Sequence, residues 1–287
     1  MSYPSIDLND AVVLITGGGR GIGKATGSAF RSAGATVCLA DLDLPVAIEA
    51  ADELIAHAFS LDVTSRRSFD ACVSEVIERF GRIDVLVNNA GVMPLGPFLT
   101  EPDAISETTI DVNVWGLING MRAVMPAMLE RGSGHVVNVA SMAGKVPIPG
   151  MAVYNASKFA ALGLSRAVRA EYTDSGVSVS AVLPSAVRTE LASGVPHGGG
   201  LPTVDPEVIA AAIVRSVRTR RDQIPVPGYL GLWDLVDAVV PEFVQKLAFG
   251  LLDGARALTK LDPDARHAYE QRIADQAAAH AMDRAEL

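Results

Sequence analysis

Short apolar runs alternate with segments of helical periodicity along most of the chain. Residues 11–16, Ala-Val-Val-Leu-Ile-Thr, form an unbroken β-prone run, as expected of a strand buried on both faces of a parallel sheet. Runs of the same kind at 36–41, 58–61, 83–87, 134–139, 177–183 and 224–226 predict further strands. Between them, helical patterns occupy 29–33, 45–56, 65–80, 103–131, 152–174 and 205–219. Strands that alternate with helices predict an α/β fold: a doubly wound parallel sheet of about seven strands, joined by right-handed crossovers, with helices on both faces. No repeat and no linker divides this part of the chain.

The texture changes after Pro184. Residues 193–206 combine Ser193-Gly194, His197-Gly198-Gly199-Gly200 and three prolines, the composition of a flexible loop, and beside a cleft such a loop can act as a lid. Beyond Gly228, Leu232, Leu235, Val236, Val239, Val240, Phe243, Val244 and Leu247 recur at helical spacing, with Pro241 expected to separate two helices. From Asp262 the chain is Ala-rich and charged, a solvated helix or a frayed tail. The expected division is a catalytic domain over 1–228 and a helical extension over 229–287, packed on the same domain or across a dimer. A hydrophobic lid over a substrate mouth and shallow membrane association remain alternatives for the extension, the latter disfavoured by an acidic polar face.

Composition narrows the function classes. The 287 residues are 49% apolar and 20% charged, a globular balance, and the net charge of −9 excludes a surface built to track nucleic-acid phosphates. Cys38 and Cys72 stand apart without metal-ligand or redox spacing, so both are expected to be packing residues and no metal site is expected. No basic run precedes an apolar core near Met1, and no stretch reaches the roughly 18 uninterrupted apolar residues of a spanning helix. A cytoplasmic location is the expectation.

Chemistry enters with Thr16-Gly17-Gly18-Gly19-Arg20-Gly21-Ile22-Gly23, which lies between the first strand and its helix. Glycines there let the backbone turn sharply and approach a pyrophosphate, while the following helix offers its first N–H groups to the anion. The second strand ends in Asp41, placed to accept hydrogen bonds from ribose hydroxyls and to repel a 2′-phosphate. That favours NAD; Arg20 at the turn pulls toward NADP, the alternative cofactor. Asp62, after the third strand, reads either as an adenine contact or as a helix cap before Ser65.

Tyr154 and Lys158 are four apart, so a helix puts them on one face. A neighbouring ammonium favours the phenolate and is expected to lower the tyrosine pKa, making the phenol a proton donor and acceptor near working pH. Ser141 follows a strand whose C-terminal end opens toward the cleft, where its hydroxyl can hold a substrate oxygen. Asn113, polar within an apolar helix, reads either as a satisfied core amide or as part of this group.

Together with Asn88-Asn89-Ala90-Gly91, Pro184 and Thr189, these pieces resemble the short-chain dehydrogenase/reductase family over residues 8–227. The resemblance implies a Rossmann-type fold and an NAD-dependent oxidoreductase that exchanges a hydride with an alcohol or ketone carbon. It implies Tyr154 as acid/base, Lys158 on the nicotinamide ribose, Ser141 on the substrate oxygen and Asn113 in a water-mediated proton relay. Asn88, Ala90 and Gly91 would brace the sheet and line the adenosine side, and Thr189 would reach the carboxamide. Cofactor contacts are expected at Gly17, Arg20, Gly21, Ile22, Gly23, Asp41, Asp62, Val63, Asn89, Ala90, Gly91, Tyr154, Lys158, Pro184, Val187 and Thr189. Substrate contacts are expected at Met93, Ser141, Met142 and Tyr154. Pro94, Leu95, Val146, Ile148, Pro149 and the loop from 187 to 201 complete a mostly apolar pocket, which suits a hydrophobic alcohol or ketone. The resemblance also implies a homodimer or homotetramer formed through the helices near 103–131 and 152–174. Two departures stand out: Ser185 follows Pro184 where the family often has glycine, and Pro225-Val226-Pro227-Gly228 replaces the usual glycine-rich ending. A non-catalytic dinucleotide-binding regulator or scaffold on the same fold is the competing function.

Overall fold

The apolar runs pair side by side into one parallel sheet. In the computed structural model, which describes residues 3–195, 202–240 and 259–285, the strands are β1 (Val12–Thr16), β2 (Thr36–Asp41), β3 (His57–Ser60), β4 (Val85–Asn88), β5 (Gly134–Val139), β6 (Val177–Pro184), a short β7 (Ala186–Val187), a short β8 (Thr203–Val204) and β9 (Gln223–Val226). Seven of them form the sheet, in the order β3-β2-β1-β4-β5-β6-β9. Order reverses at β1, the point where a doubly wound sheet opens a crevice at its C-terminal strand ends. Leu14 lies opposite Cys38 on one side and Leu86 on the other, so the first strand is paired along both edges.

Crossovers are made by α1 (Gly21–Ser32), α2 (Leu44–Leu54), α3 (Arg66–Phe80), α4 (Asp103–Ile110), α5 (Gly116–Arg131), α6 (Ala152–Glu171) and α7 (Pro206–Thr219). Side chains of β1 alternate between two cores: Val12 and Leu14 pack with Phe69, Val73 and Met128, while Val13 and Ile15 pack with Phe30, Ile209 and Ile213. That period of two is the geometry of a pleated strand, and here both faces are covered. Cys38 and Cys72 are buried, and burial pushes each thiol pKa up to about 12, which makes both inert packing residues.

Three local features depart from the sequence pattern. The helical stretch from 103 to 131 is interrupted by a π turn at Asp111–Trp115, which contains Asn113. Ser65, not Asp62, caps α3 by accepting from the Ser68 N–H; Asp62 instead accepts from the N–H and hydroxyl of Thr64. Within the expected loop after Pro184, β7 pairs with β8; residues 196–201 lie outside the described residues.

Among the described residues, two further helices follow the sheet. The first, α8 (Trp233–Val239), leaves Leu232, Leu235 and Val239 exposed, and the expected break at Pro241 lies outside the described residues. The last, α9 (Pro263–Ala285), is not the solvated or frayed segment that its composition suggests, because Arg266, Tyr269, Ile273 and Ala277 are buried. Their spacing of three, four and four places them on one face, packed against the body beside α4. Among the described residues no helix is long and apolar enough to cross a membrane.

Candidate active site

The glycine turn is held from three directions. Gly17 and Gly21 adopt φ of +63° and +51°, a left-handed conformation that disfavours side chains. The Asn89 Nδ2 donates to the carbonyls of Thr16 and Gly17, each at 3.0 Å, while the Thr16 hydroxyl accepts from the N–H of Asn89 and of Ala90. Asp41 Oδ2 accepts from the Gly19 N–H at 3.0 Å, and its Oδ1 accepts from the Asp43 N–H. Gly23 lies beneath the turn rather than on the cleft wall, and a Cβ there would collide with the Gly17 carbonyl oxygen. No side chain caps the N-terminus of α1, which leaves its first N–H groups available to an anion.

Across the sheet, α6 presents Tyr154 and Lys158. Lys158 Nζ donates to the Val139 carbonyl at 3.0 Å and stands 5.7 Å from the Tyr154 ring centre. Asn155 fixes the approach to this helix: its Nδ2 donates to the Ala143 and Val146 carbonyls at 2.8 and 2.9 Å. Ser141, just past β5, accepts from the Ala143 N–H at 3.0 Å.

The electrostatics differ from the expectation that the ammonium lowers the phenol. Burial pushes the Tyr154 pKa up to about 12, and a hydrogen bond with Ser141 opposes it without prevailing. Burial also pulls Lys158 down to about 8, which leaves its ammonium protonated at neutral pH. Removal from water is the largest cause of both shifts.

Asn113 sits one layer behind these side chains. Its Oδ1 accepts from the Val92 N–H at 2.9 Å, and its Nδ2 donates to the Val92 carbonyl and to Ser157 Oγ at 2.9 and 3.0 Å. It is therefore a satisfied core amide that joins the segment after β4 to α6. A Cβ on Gly91 would lie 3.2 Å from the Asn113 Oδ1 and 3.6 Å from Lys158 Nζ, so Gly91 lets the two groups face each other.

A single cavity of about 720 Å³ joins the two halves. Gly17, Arg20, Gly21, Ile22, Asp41, Asp62, Val63, Asn89, Ala90, Gly91, Pro184, Val187 and Thr189 line it, together with Ser141, Tyr154 and Lys158. Met93, Met142, Val146 and Ile148 supply apolar wall, whereas Pro94, Leu95, Pro149, Asn88 and Asn113 do not reach the surface of the cavity. Asn88 lies in the core, donating to Asn138 Oδ1 at 2.9 Å.

These features coincide with a known family. A family model for short chain dehydrogenases matches residues 11–198. The chain belongs to the short-chain dehydrogenase family. It is 33% identical over 242 residues to 17-beta-hydroxysteroid dehydrogenase 13 of Rattus norvegicus, covering 82% of this chain and 80% of that protein. It is 36% identical over 220 residues to oxidoreductase UcpA of Escherichia coli, covering 75% of this chain and 82% of that one. A short chain dehydrogenase/reductase from Burkholderia phymatum, solved in complex with NAD, superposes with a TM-score of 0.73 at 25% identity, covering 81% of this chain and 93% of that chain. A short-chain type dehydrogenase/reductase from Mycobacterium marinum gives 0.71 at 27% identity, covering 76% and 94%. Short-chain dehydrogenases are oxidoreductases that use NAD or NADP with small-molecule substrates, and the cradle of uncapped N–H groups and unsubstituted glycines fits such a dinucleotide.

That fit makes Gly23 a sharp test of the turn. Gly23→Ala is expected to abolish measurable NADH binding in a fluorescence titration, because the turn must open to admit the methyl group. Binding as tight as wild type would show that the turn relaxes freely.

Part of the cavity wall lies beyond the segment matched by the family model. Trp233 and Val236 of α8 line it, as do Tyr269, Arg272, Ile273 and Gln276 of α9. The Tyr269 hydroxyl accepts from the Met93 N–H at 2.9 Å. The signal available in the sequence was weak: an apolar stripe of Tyr269, Ile273 and Ala277, headed by an arginine.

Proposed function

We propose that this short-chain dehydrogenase oxidises a secondary alcohol, or reduces the corresponding ketone, with NAD as cofactor and Tyr154 as the acid/base. The observation that carries the reading is the convergence of Ser141, Tyr154 and Lys158 on one cavity that also contains the glycine turn. A bound nicotinamide supplies the redox partner for the carbinol carbon. Gly17, Arg20, Gly21, Ile22, Val63, Asn89, Ala90, Gly91, Pro184, Val187 and Thr189 contact the dinucleotide, Gly23 supports the turn and Asp62 meets the adenine side.

The chain's own residues manage the proton. Ser141 holds the substrate oxygen beside the phenol, whose raised pKa keeps the proton on Tyr154 Oη at neutral pH. In ketone reduction Tyr154 gives that proton to the oxygen as negative charge develops there. In alcohol oxidation the phenolate accepts it, stabilised by the Lys158 ammonium, which also binds the nicotinamide ribose. Asn113 holds α6 against the segment after β4, the position from which it supports a relay behind Lys158.

Substrate and cofactor choice follow from the walls. Met93, Met142 and the apolar side chains of α8 favour a hydrophobic alcohol or ketone, in keeping with a relative named for hydroxysteroids. Asp41 favours NAD, and Arg20 is engaged by Asp43 at 2.9 Å rather than left for a 2′-phosphate. Asp41→Ala is expected to lower the preference for NAD over NADP by roughly tenfold, about 1.4 kcal/mol. The ratio of the two kcat/KM values measures it, and an unchanged ratio would place the ribose contact elsewhere. Residues 229–287 act as an extension packed on the catalytic domain, which pairs through α4, α5 and α6 as a cytoplasmic homodimer or homotetramer.

Incubation with NAD and a panel of hydrophobic secondary alcohols, followed by absorbance of the reduced nicotinamide, tests the activity directly. Tight NAD binding without turnover of any member would favour the non-catalytic binding protein.

A further inference from the structure

Helix α9 spans the cavity from one end to the other. At its start, Arg266 and Tyr269 join it to Met93, Leu191 and Ser193, near the proton-transfer group. Toward its other end the His280 ring lies 3.3 Å from Thr64 Oγ1, beside Asp62 and Val63. Arg272 falls between these two anchors.

The surroundings of Arg272 connect it to the glycine turn. Its Nη1 donates to Glu190 Oε1 at 2.6 Å, and Glu190 adjoins Thr189, whose methyl group would lie 3.2 Å from a Cβ on Gly21. The guanidinium lies over the Tyr269 ring at 5.6 Å, and Asp43 lines the same cavity. Nη1 is the one nitrogen of this guanidinium with a hydrogen-bond partner among the described residues.

Charge accounting gives this placement a meaning. Asp41, Asp43, Asp62, Glu190 and Asp275 line the cavity against Arg20, Lys158 and Arg272. Arg20 is paired with Asp43, and Lys158 is buried against the Val139 carbonyl at the proton-transfer end. Arg272, although paired with Glu190 through Nη1, stands beside the turn with its other guanidinium nitrogens without a hydrogen-bond partner among the described residues. A diphosphate among these carboxylates gains from a cation in addition to the α1 N–H groups, and a planar guanidinium suits paired phosphate oxygens.

We propose that Arg272 binds the pyrophosphate of the dinucleotide, so that α9 forms the outer wall of the cofactor site. The assignment rests on the reading of the cavity as a dinucleotide site. Glu190 holds the guanidinium in place and competes with the phosphate for it. The two residues therefore have opposite effects on affinity.

Fluorescence titration of the full-length protein with NADH and with ADP-ribose, which contains the pyrophosphate but no nicotinamide, tests this. Arg272→Ala should weaken both ligands roughly 10- to 100-fold, the loss expected for charge-assisted hydrogen bonds. Glu190→Gln should tighten both severalfold, with the thermal midpoint of the unliganded protein lowered no more than in Arg272→Ala. If the Arg272–Glu190 pair only secures α9, both substitutions weaken binding alike, and the assignment fails. Wild-type affinity in Arg272→Ala also overturns it while leaving the dinucleotide site intact. Failure of the wild-type protein to bind NADH or NADPH at all overturns the underlying reading of the cavity, and this assignment with it.

Discussion

Tyr154→Phe is expected to lower kcat by roughly 10²–10⁴-fold, the range supplied by a positioned acid/base, while NADH affinity stays within about threefold of wild type. The two readouts separate because the substitution removes only Oη. The ring remains packed with Met93, Ala143 and Met151, and Lys158 keeps its bond to the Val139 carbonyl. Retained turnover would show that another group moves the proton. A large loss of NADH affinity would instead show that the hydroxyl contributes to the cofactor site. Tyr269 is the nearest rival as a phenol, but its hydroxyl is engaged by the Met93 N–H, and burial pushes its pKa up to about 12 as well.

Arg266→Ala should release α9 from the body. The guanidinium is fully buried and donates to the carbonyls of Met93, Leu191 and Ser193, with Glu270 as an ion-pair partner at 3.1 Å from Nε. Truncation leaves those carbonyls without their donor and removes the stacking on Tyr269. At about 1 kcal/mol for each lost bond the docking free energy falls by on the order of 3 kcal/mol, which raises the open population about 150-fold. Hydrogen exchange of the amides in α9 should accelerate by a similar factor, while those of β1 and β4 keep wild-type protection. Unchanged exchange in α9 would mean that Tyr269 and Ile273 suffice to dock the helix.

Much of the sheet and of the candidate site was legible because its signals are local. The strand ends, the glycine turn and the Tyr154/Lys158 pair are each defined by residues close in sequence, and backbone geometry converts that spacing directly into position. Asn89 shows where this stops. Its place in the motif is readable, but its two bonds to the Thr16 and Gly17 carbonyls, 73 and 72 residues away, exist only once β1 and β4 are neighbours. The buried set of His135, Ser178, Ser216 and Arg220 is a stronger case. His135 reaches Ser178 and Ser216 at 2.9 Å each, and Arg220 donates to Ser178 at 2.8 Å, bringing polar residues from β5, β6 and the C-terminal end of α7 into a core that hydropathy alone would fill with apolar ones. The direction of the Tyr154 shift is hidden from the sequence for the same reason: burial, which sets it, is a property of the assembled fold.

The sequence by itself determined the doubly wound sheet, the glycine turn between β1 and α1 and the placing of Tyr154 and Lys158 on one helical face, since periodicity and short spacings encode these without reference to distant parts. Only the tertiary structure decided the place of α9. Its sequence is too polar and Ala-rich to announce a buried face, and the contacts that hold it, from Arg266 and Tyr269 to carbonyls and an N–H 73 to 176 residues away, arise only after the sheet has formed the surface on which it packs.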